Sequence, residues 1–361
     1  MNIPETMLAA VLGEAGVIET TRKPVPEIGD DDVLIRVHRA SLCGTDVKIR
    51  SRSFFGGADS GPEPGTFTPG HEYSGVVAAV GASVDEFAVG DRVVTEAHRG
   101  CMRCANCLSG GYTNCLNYGI RSKGHRVQGM TVQGGFAEYV SNHVSTLTLL
   151  PDSVGFDDAV VLTTAGTVMH AFQALDMLAV GSSVAVIGPG PIGLLAVQVA
   201  RQLGAAQVFL IGTRESRLAL GKQFGADLVV NSRSDDPVAA VRAATGGRGA
   251  DIVLECSGAG AAVDTALHAS ARGGNVVLVG FFGQPVTADL NHAVMNGITL
   301  KTVRGEGAGS VARAVTLAGL GRLSTDPLVT HRFPLIDIAA AFDAYTQRTD
   351  NAIKVMLDVT D

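Results

Sequence analysis

Four cysteines, Cys101, Cys104, Cys107 and Cys115, stand in the spacing C-x2-C-x2-C-x7-C. Four thiolates on one short stretch can wrap a tetrahedral Zn²⁺, and an all-sulfur shell leaves no open position for a substrate. An iron–sulfur cluster uses the same four ligands. The segment around them, residues 98–116, is rich in glycine and polar side chains and poor in core formers. A cross-link must hold it where a core cannot. Disulfides would require an oxidising compartment, and Met1 to Thr20 has no basic start followed by an apolar core, so no signal peptide is expected.

A second group lies upstream. Cys43 opens Cys43-Gly44-Thr45-Asp46, and His71 and Glu72 follow Gly70. Thiolate, imidazole and carboxylate with one position left open is the donor set of a catalytic zinc. A lone cysteine is more often buried filler, so these residues count only if the fold makes them converge.

The third group is Gly188-Pro189-Gly190-Pro191-Ile192-Gly193, directly after the apolar run Ser183–Ile187 and directly before a periodic apolar stretch. Strand, glycine turn and helix is the context in which G-x-G-x-x-G carries weight. Gly188 allows the tight turn, Gly190 admits a pyrophosphate, and Gly193 lets helix and strand approach closely. The phosphates then sit at a helix N-terminus. After the next strand comes Gly212-Thr213-Arg214, where an NAD site would offer a carboxylate to the ribose. Without that acid a 2′-phosphate is not repelled; Thr213 can hydrogen-bond it and Arg214 can grip it in a bidentate contact. NADP(H) is therefore favoured over NAD(H).

These groups need elements to hold them. The chain has 361 residues, enough for two cores. Strands at Gln207–Ile211, Leu228–Val230, Asp251–Cys256 and Asn275–Val279 alternate with helices at Ser216–Phe224, Pro237–Thr245 and Ala261–Ala271. That alternation argues for a doubly wound parallel sheet with right-handed crossovers. Before it, strands are expected at Met7–Val17 and Asp32–Arg39, a long loop at Ser51–Pro69, and a helix at Phe156–Leu178. The tail carries a helix at Ser310–Gly319 and a strand near Ile353–Val359, and breaks the alternation. The domains expected are 1–155, 156–298, and a return segment 299–361 that completes the first. A net charge of −7 without a long basic run argues against nucleic acid or an anionic membrane surface. No apolar stretch has the length of a membrane span, and a cytoplasmic location is expected.

The order Cys43-Gly44-Thr45-Asp46, Gly70-His71-Glu72, four-cysteine lobe, Gly135-Phe136-Ala137-Glu138-Tyr139, then the glycine loop resembles the zinc-dependent medium-chain dehydrogenases over nearly the whole chain. The subgroup it looks most like holds the sorbitol, polyol and threonine dehydrogenases. The resemblance implies a GroES-like, mainly β catalytic domain and a Rossmann coenzyme domain. It implies one catalytic zinc on Cys43, His71 and Glu72, one structural zinc on the lobe, and a homodimer or homotetramer. Thr163-Thr164 stands where polyol dehydrogenases have Glu-Pro and alcohol dehydrogenases place a cysteine ligand, which makes Glu72 the third protein ligand, directly or through water. Lys48 stands where many alcohol dehydrogenases have a proton-relay histidine.

The reaction expected is hydride transfer between a secondary alcohol and NADP(H), with zinc stabilising the alkoxide and Thr45 relaying the proton. Asp46 would orient His71 or the loop. Glu96, His98 and the 51–69 loop would contact a polyol, cyclitol or sugar-like substrate. An NADPH-linked reductase of ketones or aldehydes uses the same parts in reverse. A zinc-stabilised dinucleotide-binding module without chemistry is the reading from another class.

Overall fold

Val33-Leu34-Ile35 and Val76-Val77 are β-branched and apolar, and pair as neighbouring strands in the computed structural model, which describes residues 3–55, 62–175, 180–307 and 309–360. The first elements are β1 (Thr6–Leu12), β2 (Ile18–Pro24), β3 (Asp32–Ser41), α1 (Gly44–Arg50), β4 (Tyr73–Val80), β5 (Arg92–Thr95) and β6 (His98–Arg99). Then come α2 (Ala105–Leu108), β7 (Arg126–Val127), β8 (Tyr139–His143), β9 (Leu147–Leu149) and α3 (Phe156–Gln173). The alternating stretch gives β10 (Ser183–Ile187), α4 (Pro191–Gln202), β11 (Gln207–Gly212), α5 (Glu215–Gln223), β12 (Leu228–Asn231) and α6 (Pro237–Ala244). It continues with β13 (Ala250–Glu255), α7 (Gly260–Ala269), β14 (Ser270–Leu278), α8 (Leu290–Asn296) and β15 (Thr299–Thr302). The tail supplies α9 (Ser310–Gly319), β16 (Val329–Pro334), α10 (Ile338–Gln347) and β17 (Lys354–Asp358).

Two units result. The first holds residues 1–166, 305–320 and 325–361; the second holds 167–304 and 321–324. In the first, a seven-stranded sheet runs β16-β17-β3-β4-β5-β9, with β8 also paired to β3. β3 is its hub, antiparallel to β4, β8 and β17. Tyr73, Phe136 and Phe342 are fully buried in the core against it. Gly75 is glycine because a Cβ would fall 2.1 Å from the Arg36 carbonyl oxygen.

The second unit is an all-parallel sheet in the order β12-β11-β10-β13-β14-β15. Its chain order reverses between β10 and β13, and ligands of such sheets bind at that switch point, outside the carboxyl ends of the strands. The glycine loop follows β10.

Some elements differ from expectation. The strand expected at Met7–Val17 stops at Leu12, because Ala15 and Gly16 take positive φ (51° and 76°) and turn the chain into β2. The first long helix ends at Gln173, and 176–178 lie outside the described residues, as do 56–61 of the expected loop. The tail also builds β16 and α10, which no alternation announced.

Candidate functional site

The Cys43-Gly44-Thr45-Asp46 turn begins α1. Cys43 is its N-cap, and the Cys43 backbone N–H donates to Asp46 Oδ2 at 2.9 Å, half of a capping box. Asp46 Oδ1 lies 3.2 Å from His71 Nδ1. An ionised carboxylate only accepts, so Nδ1 carries the hydrogen and Nε2 is the nitrogen left for a cation. Burial by itself would push the His71 imidazole down; the charge and hydrogen bond of Asp46, with a contribution from Cys43, hold it well above its ordinary value. That seat favours positive charge.

One donor atom each from Cys43, His71 and Glu72 lies within 4.8 Å of the others. Glu72 is almost fully buried, and its oxygens are occupied. Oε2 accepts from Ser41 Oγ at 2.6 Å and from Lys354 Nζ; Oε1 accepts from Thr164 Oγ1 at 2.7 Å. Lys354 also donates to Thr164 Oγ1 at 3.0 Å. A carboxylate has about four lone-pair sites, so these donors leave room for one cation contact, on Oε1. Sulfur, nitrogen and oxygen converging with that vacancy suit zinc with an open position. Neither Thr163 nor Thr164 is presented as a metal donor: Thr163 donates to the Thr95 carbonyl at 3.2 Å, and Thr164 is taken up with Glu72 and Lys354.

The sequence reading did not find Ser41 or Lys354. The signal available was a lysine inside the apolar run Ile353-Lys354-Val355-Met356-Leu357, where an ammonium must find a buried partner.

Thr45 Oγ1 lies 3.9 Å from Cys43 Sγ, and Lys48 follows three residues later on the same helix face. Burial lowers the Lys48 ammonium, and the Cys43 sulfur opposes that.

The second cluster is the lobe. Cys101 and Cys107 sulfurs are 3.9 Å apart, Cys104 and Cys115 sulfurs 4.0 Å, and all four fall within 4.8 Å of one another. Tetrahedral zinc with its usual zinc–sulfur bond sets sulfurs about 3.8 Å apart, so the cage is sized for one ion. The Asn117 amide donates to Cys101 Sγ at 3.1 Å and draws that thiol down to about 6, while burial pushes Cys107 up to about 12.

In the second unit, Gly188 takes φ +102°, and a Cβ there would lie 2.7 Å from Ser257. A Cβ on Gly193 would fall 2.0 Å from the Gly188 carbonyl oxygen. Gly190 is different: nothing lies within 4 Å of where its Cβ would be. That open cradle is at the N-cap of α4, with Pro191 opening the helix and Ile192 after it, and it suits a pyrophosphate. Gly212 ends β11 with the Pro189 ring 2.4 Å from its would-be Cβ, Thr213 is exposed, and Arg214 is the N-cap of α5. No carboxylate stands at 212–214. Glu255, at the end of β13, is raised by burial, while Ser257 N–H and Oγ–H donors oppose the rise.

The chain matches two family models, the alcohol dehydrogenase GroES-like domain over residues 29–152 and the zinc-binding dehydrogenase domain over 191–318. It belongs to the zinc-dependent medium-chain dehydrogenase family. It is an oxidoreductase acting on CH–OH groups. It is 36% identical to an L-threonine 3-dehydrogenase of Bacillus subtilis, over 93% of this chain and 94% of that one. A sorbitol dehydrogenase of the same organism is 31% identical, over 99% and 98%. Among solved structures, a candidate zinc-binding dehydrogenase from Sinorhizobium meliloti 1021 bound to NADP superposes with TM-score 0.88 at 27% identity, covering 99% of this chain and all of that one.

Proposed function

We propose that the protein is an NADP(H)-linked dehydrogenase of secondary alcohols carrying a further polar group, of the polyol, cyclitol or sugar-like kind. The observation that carries this is the convergence of Cys43, His71 and Glu72 within 4.8 Å in a donor set with an open position. Cys43 Sγ, His71 Nε2 and Glu72 Oε1 would hold the catalytic zinc, and the four lobe cysteines a structural one. Bound there, zinc supplies Lewis acidity at the alcohol oxygen, and a nicotinamide supplies the hydride acceptor.

The chain's own residues do the rest. Asp46 fixes the His71 tautomer through Nδ1–H. Lys354, Ser41 and Thr164 hold the Glu72 carboxylate in place, with Oε1 the oxygen kept for the cation. Thr45 Oγ accepts the alcohol proton while passing its own outward, with Lys48 one turn further along the same helix face. Run backward, the same relay reduces a ketone or aldehyde.

Gly188, Gly190 and Gly193 would seat the pyrophosphate. NADP is supported by the missing carboxylate after β11, by Thr213 and Arg214 in its place, and by the NADP in the Sinorhizobium relative. Replacing Arg214→Ala should raise the KM for NADP about tenfold or more, with little change for NAD, since a charged phosphate contact contributes roughly 1.5–3 kcal/mol.

Among the described residues no helix is long and apolar enough to cross a membrane; the partner proposed is a small-molecule alcohol or carbonyl substrate. α8 exposes Leu290, Val294 and Met295, and β15 is an open sheet edge exposing Leu300. These support a homodimer or homotetramer, which light scattering on the eluting protein would test.

The deciding experiment records reduced-nicotinamide absorbance with zinc-loaded protein against polyols, cyclitols and simple secondary alcohols, with NADP and with NAD. Turnover of a polyhydroxy substrate with NADP supports the reading. A preference for NAD removes the Arg214 assignment and leaves the zinc site. Silence with both coenzymes in both directions favours the non-catalytic module.

A further inference from the structure

The first unit holds a cavity of about 270 Å³ that none of Cys43, His71 and Glu72 lines. Its apolar lining comes from Met7 of β1, Val132, Ala137 and Val140 of β8. Beside that surface stand three cations, Lys23, Arg121 and Arg126, and two acids, Glu27 and Asp32. Asp32 is already engaged: Oδ1 accepts from Arg126 Nη1 at 2.6 Å and Oδ2 from the Gly29 N–H at 3.2 Å. Glu27 is exposed, where water and salt screen it. The Lys23 ammonium has three acceptors, the Thr66 carbonyl at 2.7 Å, Thr68 Oγ1 at 3.1 Å and Gln133 Oε1 at 3.1 Å. All three are neutral, so its hydrogens are satisfied and its charge is not. Burial pushes that ammonium down, and an anion beside it would oppose the push. Tyr139 of β8 adds the remaining polar group. It is 7% exposed and lines the cavity, and among the described residues its hydroxyl meets no donor or acceptor. A buried phenol ordinarily has one.

We propose that this cavity is a binding site, separate from the metal cluster, for a small organic carboxylate with an apolar body. Among the described residues Arg126 is bonded only through Nη1, which leaves the rest of its fork for a carboxylate. Arg121, exposed and in no ion pair among the described residues, offers a second guanidinium. The Tyr139 O–H donates one further hydrogen bond, and Lys23, its hydrogens taken, contributes charge alone. The apolar lining receives the body of the ligand. Inorganic phosphate has nothing to place there, which is why the ligand is an organic acid. A cavity of this volume lies just below the range of drug-sized sites and fits about ten non-hydrogen atoms. The site stands whether or not the dehydrogenase reading above does.

The test is an NMR titration of the zinc-loaded protein that follows the signals of benzoate and hexanoate. Each is compared with its neutral amide, and both with acetate, which lacks the apolar body. At least one of the two acids should bind about tenfold more tightly than its amide and than acetate. Tyr139→Phe and Arg121→Gln both leave Asp32 paired with Arg126. Each should weaken binding roughly tenfold, the size of one lost hydrogen bond to a charged group. Neither should lower the melting temperature of the free protein, because neither side chain has a protein partner to lose. Carboxylates also bind zinc, so Cys43→Ala is titrated in parallel and should bind as tightly as the wild type. Binding lost in Cys43→Ala would put the anion on the metal and overturn the site. Equal affinity for acid and amide, unchanged affinity in either cavity variant, or no binding of either acid at millimolar concentration would overturn it as well.

Discussion

The two candidate metal clusters are built on opposite plans. In the lobe the donors are alike, and their partners are mostly backbone: Cys101 N–H donates to Cys115 Sγ at 3.4 Å, Leu116 N–H to Cys104 Sγ at 3.4 Å, and Asn117 N–H to Cys115 Sγ at 3.3 Å. Around Cys43, His71 and Glu72 the donors all differ, and two of them are oriented by buried side chains brought from afar: Asp46 for the imidazole, and Ser41, Thr164 and Lys354 for the carboxylate. A closed shell of one ligand type organises a short segment that has no core. An open shell of mixed ligands is itself organised, by a second layer anchored in β3, α3 and β17.

Exchanging one ligand in each cluster should separate these roles most sharply. Cys43→Ala should lower turnover about a thousandfold or more, the loss of several kcal/mol of Lewis-acid stabilisation, with little change in melting temperature or dinucleotide affinity. Cys107→Ser should do the reverse, lowering the melting temperature by roughly 5–10 °C as a structural ion's contribution to folding is lost. Elemental analysis should find one zinc fewer per chain in each variant. Parallel losses of activity and stability in both variants would erase the distinction.

Lys354→Met tests the second layer. Removing one member of a buried ion pair leaves the other charge uncompensated, a loss of about 3–5 kcal/mol. Because Glu72 retains Ser41 and Thr164 and faces the cation seat, the melting temperature of the variant should fall much further in chelator than in zinc. An equal fall in both conditions would mean that Glu72 does not face the metal.

This contrast also explains what could be read from the chain. The lobe is local: four ligands within fifteen residues, Cys101 to Cys115, announce themselves by spacing. The glycine loop is local too, since strand, turn and helix are contiguous, and the βα alternation that carries it gave the parallel sheet. The second layer is not local: Lys354 is 282 residues from Glu72. Nor is the buried pair of His98 and Glu306, 208 residues apart in the chain, with Nδ1 and Oε2 3.3 Å apart. Nothing in periodicity connects them. They meet because β17 joins β3 antiparallel and the return segment packs in the first unit. Long-range polar pairs leave only an indirect mark, a charged residue set in an apolar run, and Lys354 carried that mark. Glu306 did not, because its flanks, Arg304-Gly305 and Gly307, read as an ordinary loop.

The two plans meet at Glu96, and its titration gives the smallest expected effect. Tyr112, which packs against the lobe cysteines, donates its hydroxyl to Glu96 Oε1. Burial pushes the Glu96 carboxyl up to about 7 from an ordinary 4.5; the Tyr112 hydrogen bond opposes this, and the charge of Glu306 adds to it. The folded state thus keeps a proton that the unfolded chain releases above about pH 4.5. Its contribution is fully present below that pH, declines as pH rises, and is gone above about 7, where both states are ionised. With each pKa unit equal to about 1.4 kcal/mol, the swing is at most about 3 kcal/mol. Glu96→Gln keeps an acceptor for Tyr112 and cannot ionise. The melting temperature of the variant minus that of the wild type, both zinc-loaded, should therefore grow from pH 5 to pH 7 and then level off. A constant offset across that range would show that Glu96 is ionised throughout. The Tyr112–Glu96 contact would then tie the lobe to the rest of the unit with the same strength at every pH, and the lobe's stability would carry no record of the charge beside it.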